Sequence, residues 1–316
     1  MTTALLTHAD CLGHHTPAGH PERVERLQAI LEALSDPEFD RLLRLEAPLA
    51  DDAELARVHD PAYIAGIRAK APAHGHIALD ADTHMSPGSL QAALRAAGAC
   101  IAAVDLVLAG RVRNAFCAVR PPGHHAEMAL PMGFCLFGTV AVAAKRALDH
   151  HGLQRVAIMD FDVHHGNGTQ ALLWDEPRVK FISTHQSPLW PGTGAATECG
   201  GAAPETGGNV LNVPLPPGTD GPAFRAAMER LVLPALDDFA PELLLISAGF
   251  DAHHADPLAN LSLTEADFAW ATERLCDVAD DHAQGGVVST LEGGYDLDAL
   301  AACVAAHVAV LMERGE

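Results

Sequence analysis

Nearly continuous apolar runs recur along the 316-residue chain, and stretches with helical spacing lie between them. The clearest runs are NAFCAVR (114–120), VAIMDFD (156–162), VKFISTH (179–185), ELLLISAGFD (242–251) and GGVVSTLEGG (285–294). Runs rich in aliphatic and β-branched residues, without strict alternation, suit strands buried on both faces, as in parallel sheets. Segment 86–110 reads as a helix. Leu90, Leu94, Ala97, Ile101, Val104 and Leu108 recur at three- and four-residue spacing. Ser86 is its expected N-cap, Pro87 its first helical residue and Gly110 its stop. A second helix is expected over 133–148. This alternation predicts an α/β fold, a single domain over 1–316 with a central parallel sheet.

Polar residues gather where the apolar runs end: at 120–125, 160–165, 183–185, 251 and 292–295. In an open α/β sheet the ligand crevice lies outside the carboxyl ends of the strands. Five polar strand ends on one edge are hard to explain by folding alone.

Composition narrows the classes. Hydrophobic residues make up 49% of the chain, ample for a large core. The formal charge of −21 argues against a nucleic-acid binder and suits a cationic partner or simply a solvated acidic surface. The start of the chain has no basic leader region, and no long apolar stretch is free of charge, so no secretory signal and no membrane span are expected. The seven cysteines are odd in number and form no CxxC pair. They read as reduced thiols in a cytoplasmic protein.

The segment VAIMDFDVHHGNG (156–168) brings two aspartates and two histidines to the end of one apolar run. Burying so many ionisable groups is costly unless they are paired. On a strand, Asp160, Asp162 and His164 share one side. Asp162 and His164 can then meet one cation, with Asp251 from a second strand end as third ligand. Two carboxylates and one imidazole leave room at the ion for water, the pattern of a catalytic zinc site. Taken alone, DxDxH is equally well a hydrogen-bonded strand end; Asp251 tips the balance. Asp160 lies deeper and needs a donor such as an imidazole N–H. RPPGHHAE (120–127) sets His124 and His125 after a rigid turn, and histidine suits proton transfer. Tyr295, in LEGGYDL, can donate to a developing oxyanion.

These segments resemble the histone deacetylase family in its broad sense, which includes bacterial amidohydrolases and acetylpolyamine deacetylases. The matching motifs are HPERVERL, DADTHMSPGS, RPPGHHAE, GFC, DFDVHHGNGTQ, ISTH, PGTG, NVPLPPGT, SAGFDAHHADP and LEGGYDL, in family order across nearly the whole chain. LEGGY and HHGNG resemble the class II branch. The resemblance implies the arginase/deacetylase fold, with a mostly parallel eight-stranded sheet between helical layers. It implies one zinc ion on Asp162, His164 and Asp251. It implies that Tyr295 polarises the amide carbonyl, that His125 is general base and then general acid, and that His124, held by Asp160, is electrostatic support. Asn167 stands where class I proteins carry an aspartate; an amide cannot stabilise an imidazolium as a carboxylate does, so His125 is expected to rest neutral. A structural potassium site is implied near Asp160, Asp162, His164, Ser183 and Thr184. Gly133, Phe134 and Trp190 would line an acyl-lysine tunnel, and Arg26 matches the family's internal-channel arginine. His165 reads as structural, and His253 and His254 as rim residues.

Two competing readings differ in class. An arginase-type ureohydrolase needs extra carboxylates for two manganese ions, whereas DFDVH and GFDAHHADP supply one complete site. A non-catalytic acyl-lysine binder would not need the full set of reactive side chains. Within the deacetylase reading, the family's polyamine-selective animal branch carries a glutamate where this chain has Leu258. That favours an acylated lysine in a peptide or protein over an acetylated polyamine. A homo-oligomer is compatible with the sequence.

Overall fold

The computed structural model describes residues 2–201 and 208–315. Its strands are β1 (Thr3–Thr7), β2 (Leu43–Glu46), β3 (Ile77–Ala78), β4 (His84–Met85), β5 (Asn114–Cys117), β6 (Val156–Asp160), β7 (Val179–Gln186), β8 (Val210–Leu215), β9 (Leu243–Ala248) and β10 (Val287–Leu291). β3 and β4 form a small antiparallel pair. The other eight make one sheet in the order β2-β1-β5-β10-β9-β6-β7-β8. Every pairing in it is parallel. The five runs expected as strands occupy five adjacent places, β5-β10-β9-β6-β7. Their aliphatic residues are covered on both faces; Leu243, Leu244, Leu245 and Ile246 of β9 are fully buried. Each such side chain contributes about 1.5–3 kcal/mol by leaving water.

The α-helices are α1 (Val24–Ala33), α2 (Asp52–Leu55), α3 (Pro61–Lys70), α4 (Ser89–Leu108), α5 (Thr139–Asp149), α6 (Asn167–Leu172), α7 (Gly221–Ala227), α8 (Leu233–Phe239), α9 (Glu265–His282) and α10 (Leu297–Arg314). Helix α4 has a mean hydropathy of 1.5 and is long and apolar enough to cross a membrane. It nevertheless carries Arg95 and Asp105 and packs against α5, β5 and β1. Its cap differs from the expected one. The helix starts at Ser89 after Gly88, and the Ser89 hydroxyl accepts the Ser86 N–H at 2.7 Å. The helix expected over 133–148 starts only at Thr139. Gly133 and Phe134 have φ of 55° and 69°, in the left-handed region that no right-handed helix can contain. GFCLFG is therefore apolar because it is buried loop, not helix.

Candidate active site

Four adjacent strands, β5, β10, β9 and β6, bring the side chains of the candidate site together at their carboxyl ends. Strand β6 stops at Asp160, so strand alternation does not explain why Asp162 and His164 converge. The loop after β6 folds around its own carboxylates instead. Asp160 Oδ1 accepts the Asp162 N–H at 3.1 Å, and Asp162 Oδ1 accepts the His164 N–H at 2.8 Å. The β9 and β10 loops close the arrangement. Asp251 Oδ1 accepts the Val163 N–H at 2.8 Å, and Gly293 N–H donates to Asp162 Oδ2 at 2.8 Å.

This brings His164 Nδ1 to 3.1 Å from both Asp162 Oδ1 and Asp251 Oδ2. One ligand atom from each residue lies within 4.8 Å of the others. Both aspartates are fully buried. Burial opposes a charge on His164, yet Asp162 and Asp251 outweigh it and push its pKa up to about 10. Two buried carboxylates thus demand positive charge at this spot, and the O, O, N donor set fits a divalent transition ion.

The histidine pair follows β5. His124 Nδ1 is 3.1 Å from Asp160 Oδ2, and its Nε2 is 3.7 Å from Asp162 Oδ2. Burial disfavours its charge, but Asp162, Asp160 and Glu292 together hold it well above the usual histidine value. His125 has the opposite surroundings. Its Nδ1 is 2.7 Å from Asn167 Oδ1. Burial, then His124 and His164, push its pKa well below the ordinary value.

A cavity of about 200 Å³ opens over this floor, lined by His125, His164 and Tyr295 below and by Gly133, Phe134, Leu189, Trp190, Leu258 and Asp82 above. The Trp190 and His125 rings meet edge to face at 4.6 Å. A Cβ on Gly133 would collide with both rings, so glycine sets this wall. Trp190 and Leu258 are 42% and 37% exposed and form the mouth. Phe134 packs edge to face on Tyr295 at 5.9 Å.

Arg26 stands outside the cavity lining. It is fully buried behind Tyr295, its guanidinium 4.9 Å from the ring centroid. It donates to the carbonyls of Gly294 and Glu292, both at 2.6 Å, and so fixes the loop that carries the tyrosine. Ser183 pairs in register with Asp160, and its hydroxyl is 2.9 Å from His185 Nδ1. The neighbouring Thr184 hydroxyl is buried without a hydrogen-bond partner. His165 binds Thr193 and Gln170, away from the trio. His254 is exposed as expected of a rim residue, but His253 is buried beneath it, 3.5 Å from Glu265.

The sequence assigned no role to Glu292, Asp256 or Asp82. Glu292 is fully buried; its carboxylate accepts the N–H groups of Gly123 at 2.7 Å and His124 at 3.1 Å and the Ser247 hydroxyl at 3.1 Å. Burial, opposed by His124, pushes its pKa up to about 7. Asp256 accepts the Tyr295 N–H at 2.8 Å and the Leu258 N–H at 2.9 Å, tying the tyrosine to the mouth. Both acids stand inside LEGGY and DAHHADP, where an acid beside buried turn N–H groups was the available signal.

Comparison with known proteins gives one consistent answer. The histone deacetylase domain profile matches residues 20–311. A probable deacetylase of Archaeoglobus fulgidus is 38% identical over 301 residues, covering 94% of this chain and 82% of its own. A human polyamine deacetylase, HDAC10, is 37% identical over 327 residues; the match covers 99% of this chain and 48% of that protein. The crystal structure of the HDA15 HD domain superposes with a TM-score of 0.93 at 36% identity, over 99% of this chain and 88% of that one.

Proposed function

The chain belongs to the histone deacetylase family and has its arginase-like fold, and on that premise we propose a zinc-dependent hydrolase that removes acetyl or other acyl groups from the lysine side-chain amine. The observation that carries this reading is the buried Asp162–His164–Asp251 trio on the floor of a cavity that His125 and Tyr295 also line. A zinc ion held by the trio would supply Lewis-acid polarisation of the amide carbonyl and of the attacking water.

The protein's own groups handle the rest. With Nδ1 committed to Asn167, His125 offers Nε2 as the base. It takes a proton from water as the water oxygen bonds to the carbonyl carbon. The Tyr295 hydroxyl donates to the carbonyl oxygen as negative charge builds there. When the C–N bond breaks, His125 returns the proton to the leaving nitrogen, giving a carboxylate and a free amine. His124 stays protonated between its carboxylates and lends positive charge to the floor. The left-handed turn at Gly133 and Phe134, with Trp190 opposite, grips the apolar stem of the substrate.

Lysine is favoured over polyamine because Leu258 at the mouth offers an apolar contact and no charge. Asp82, which lines the same cavity, and the human relative's name favour a polyamine as second reading. Rates on acetyl-lysine peptides and acetylated polyamines, for wild type and Leu258→Glu, decide between them. The variant should shift relative rate toward the polyamine; a wide wild-type preference for the polyamine overturns the lysine assignment. Metal analysis should return about one divalent ion per chain, and two would favour a ureohydrolase. A structural potassium ion is assigned to the region of Asp160, Asp162, His164, Ser183 and Thr184, where the unpartnered Thr184 hydroxyl supports it. The seven unpaired cysteines support a reducing, cytoplasmic setting.

A further inference from the structure

The base assigned to His125 works only if the ring carries its neutral-state proton on Nδ1 and leaves Nε2 bare. Nδ1 faces Asn167, and an asparagine side chain is ambivalent. Its oxygen would fix the proton on Nδ1, whereas its NH2 group would demand a lone pair there and drive the proton to Nε2. Nothing within the His125–Asn167 pair settles which end faces the ring.

The far side of the amide settles it. Asn167 Nδ2 lies 2.9 Å from Glu127 Oε1 and 3.4 Å from Met132 Sδ. An ionised carboxylate has no proton to donate, and a thioether sulfur is only an acceptor. Both partners at that end therefore require the NH2 group, and the oxygen is left to face His125 at 2.7 Å. We propose that Glu127 is a positioning residue that sets the proton-transfer tautomer of His125 through the orientation of the Asn167 amide. Glu127 is half-buried at the foot of the RPPGHHAE turn, and its own N–H is bound to the Leu130 carbonyl at 3.0 Å, which steadies the loop. A carboxylate in place of Asn167 would accept the Nδ1–H through either of its equivalent oxygens, with no orientation to choose. The asparagine is what makes an outer acceptor necessary.

This inference rests on His125 as base, but its primary test reads protons rather than turnover. Protein labelled with 15N-histidine is examined by long-range proton–nitrogen correlation at neutral pH, with His125→Ala to assign the ring. The wild-type ring should show Nδ1–H. In Glu127→Lys the ammonium donates to Asn167 Oδ1, turns the amide over, and should move the His125 proton to Nε2. With the wrong tautomer, kcat should fall roughly two to four orders of magnitude while KM changes little. Glu127→Gln keeps an acceptor and should keep Nδ1–H. A wild-type Nε2–H, a Glu127→Lys ring that stays Nδ1–H, or loss of Nδ1–H in Glu127→Gln would each overturn the proposal. Full activity in His125→Ala would instead remove the base reading and leave the tautomer result standing.

Discussion

Two buried histidines show what decides charge inside this protein. His307 on α10 lies fully buried among the rings of Phe116, Phe161 and Phe250. Its partners are two hydroxyls, Thr272 Oγ1 at 2.7 Å and Ser289 Oγ at 2.9 Å. Burial pushes its pKa down to about 3. His124, equally sheltered at the sheet edge, meets Asp160, Asp162 and Glu292 and is held protonated. Burial is common to both; the carboxylates make the difference. The fold thus uses one residue type as a neutral core bridge and as a fixed positive charge, and it separates the two uses by where acids are placed.

The strongest way to break this comparison is to strip the acid side. Asp251→Ala leaves Asp162 and His164 without the third member of the trio and, on the proposed reading, should lose both zinc and activity. Stoichiometric zinc with a normal rate in that variant would remove Asp251 from the site. Next come the neighbouring histidines. His125→Ala should lose roughly 10²–10⁴-fold in kcat by removing the proton carrier. His124→Ala should lose less, because only a charge is removed; equal small losses would contradict the division of roles. A milder change converts one environment toward the other. Asn167→Asp puts a carboxylate beside His125, which should raise its pKa and move the acidic limb of the kcat/KM profile to higher pH. An unmoved limb would mean that the Asn167 contact does not govern His125.

The smallest effect belongs to the core histidine. The folded pKa of His307 lies below the unfolded value of about 6.5, so the neutral ring is what the fold prefers. Its contribution is complete above that value and is lost as pH falls toward 3. His307→Leu should cost about 1–3 kcal/mol at neutral pH by orphaning the Ser289 hydroxyl, while the Thr272 hydroxyl keeps its bond to the Phe268 carbonyl, and it should flatten the loss of stability on acidification. Denaturant midpoints over that pH range test it, with turnover at neutral pH expected to be retained.

Much of this was legible in the chain, for uneven reasons. Strands β5, β6, β7, β9 and β10 were visible because burial on both faces leaves continuous apolar runs. The edge strands were not. β2 reads LRLE and is mostly exposed, and the apolar run of β8 is interrupted by Asn212 and by Pro214, a residue suited to an edge strand. The trio Asp162, His164 and Asp251 was found by its residue types, but for a reason that fails: a strand ending at Asp160 does not alternate through His164. Loop N–H groups do the aligning, and no local pattern encodes them. The stretch after Met132 misled because an apolar loop and a helix start look alike until φ is known. Contacts such as Glu127 with Asn167 join distant segments and leave no periodic trace.

One further consequence follows from the place of β10. It is the last of the eight strands in chain order, yet it sits between β5 and β9 near the middle of the sheet. During synthesis the ribosome has released every other strand before this one emerges. Until then the nascent sheet is two separate ribbons, each with a raw hydrogen-bonding edge open to strangers. Tyr295 follows β10 within a few residues, so the same event that seals the ribbons brings this tyrosine to the cavity. A chain cut short before β10 therefore carries two open sheet edges and lacks the tyrosine that lines the cavity.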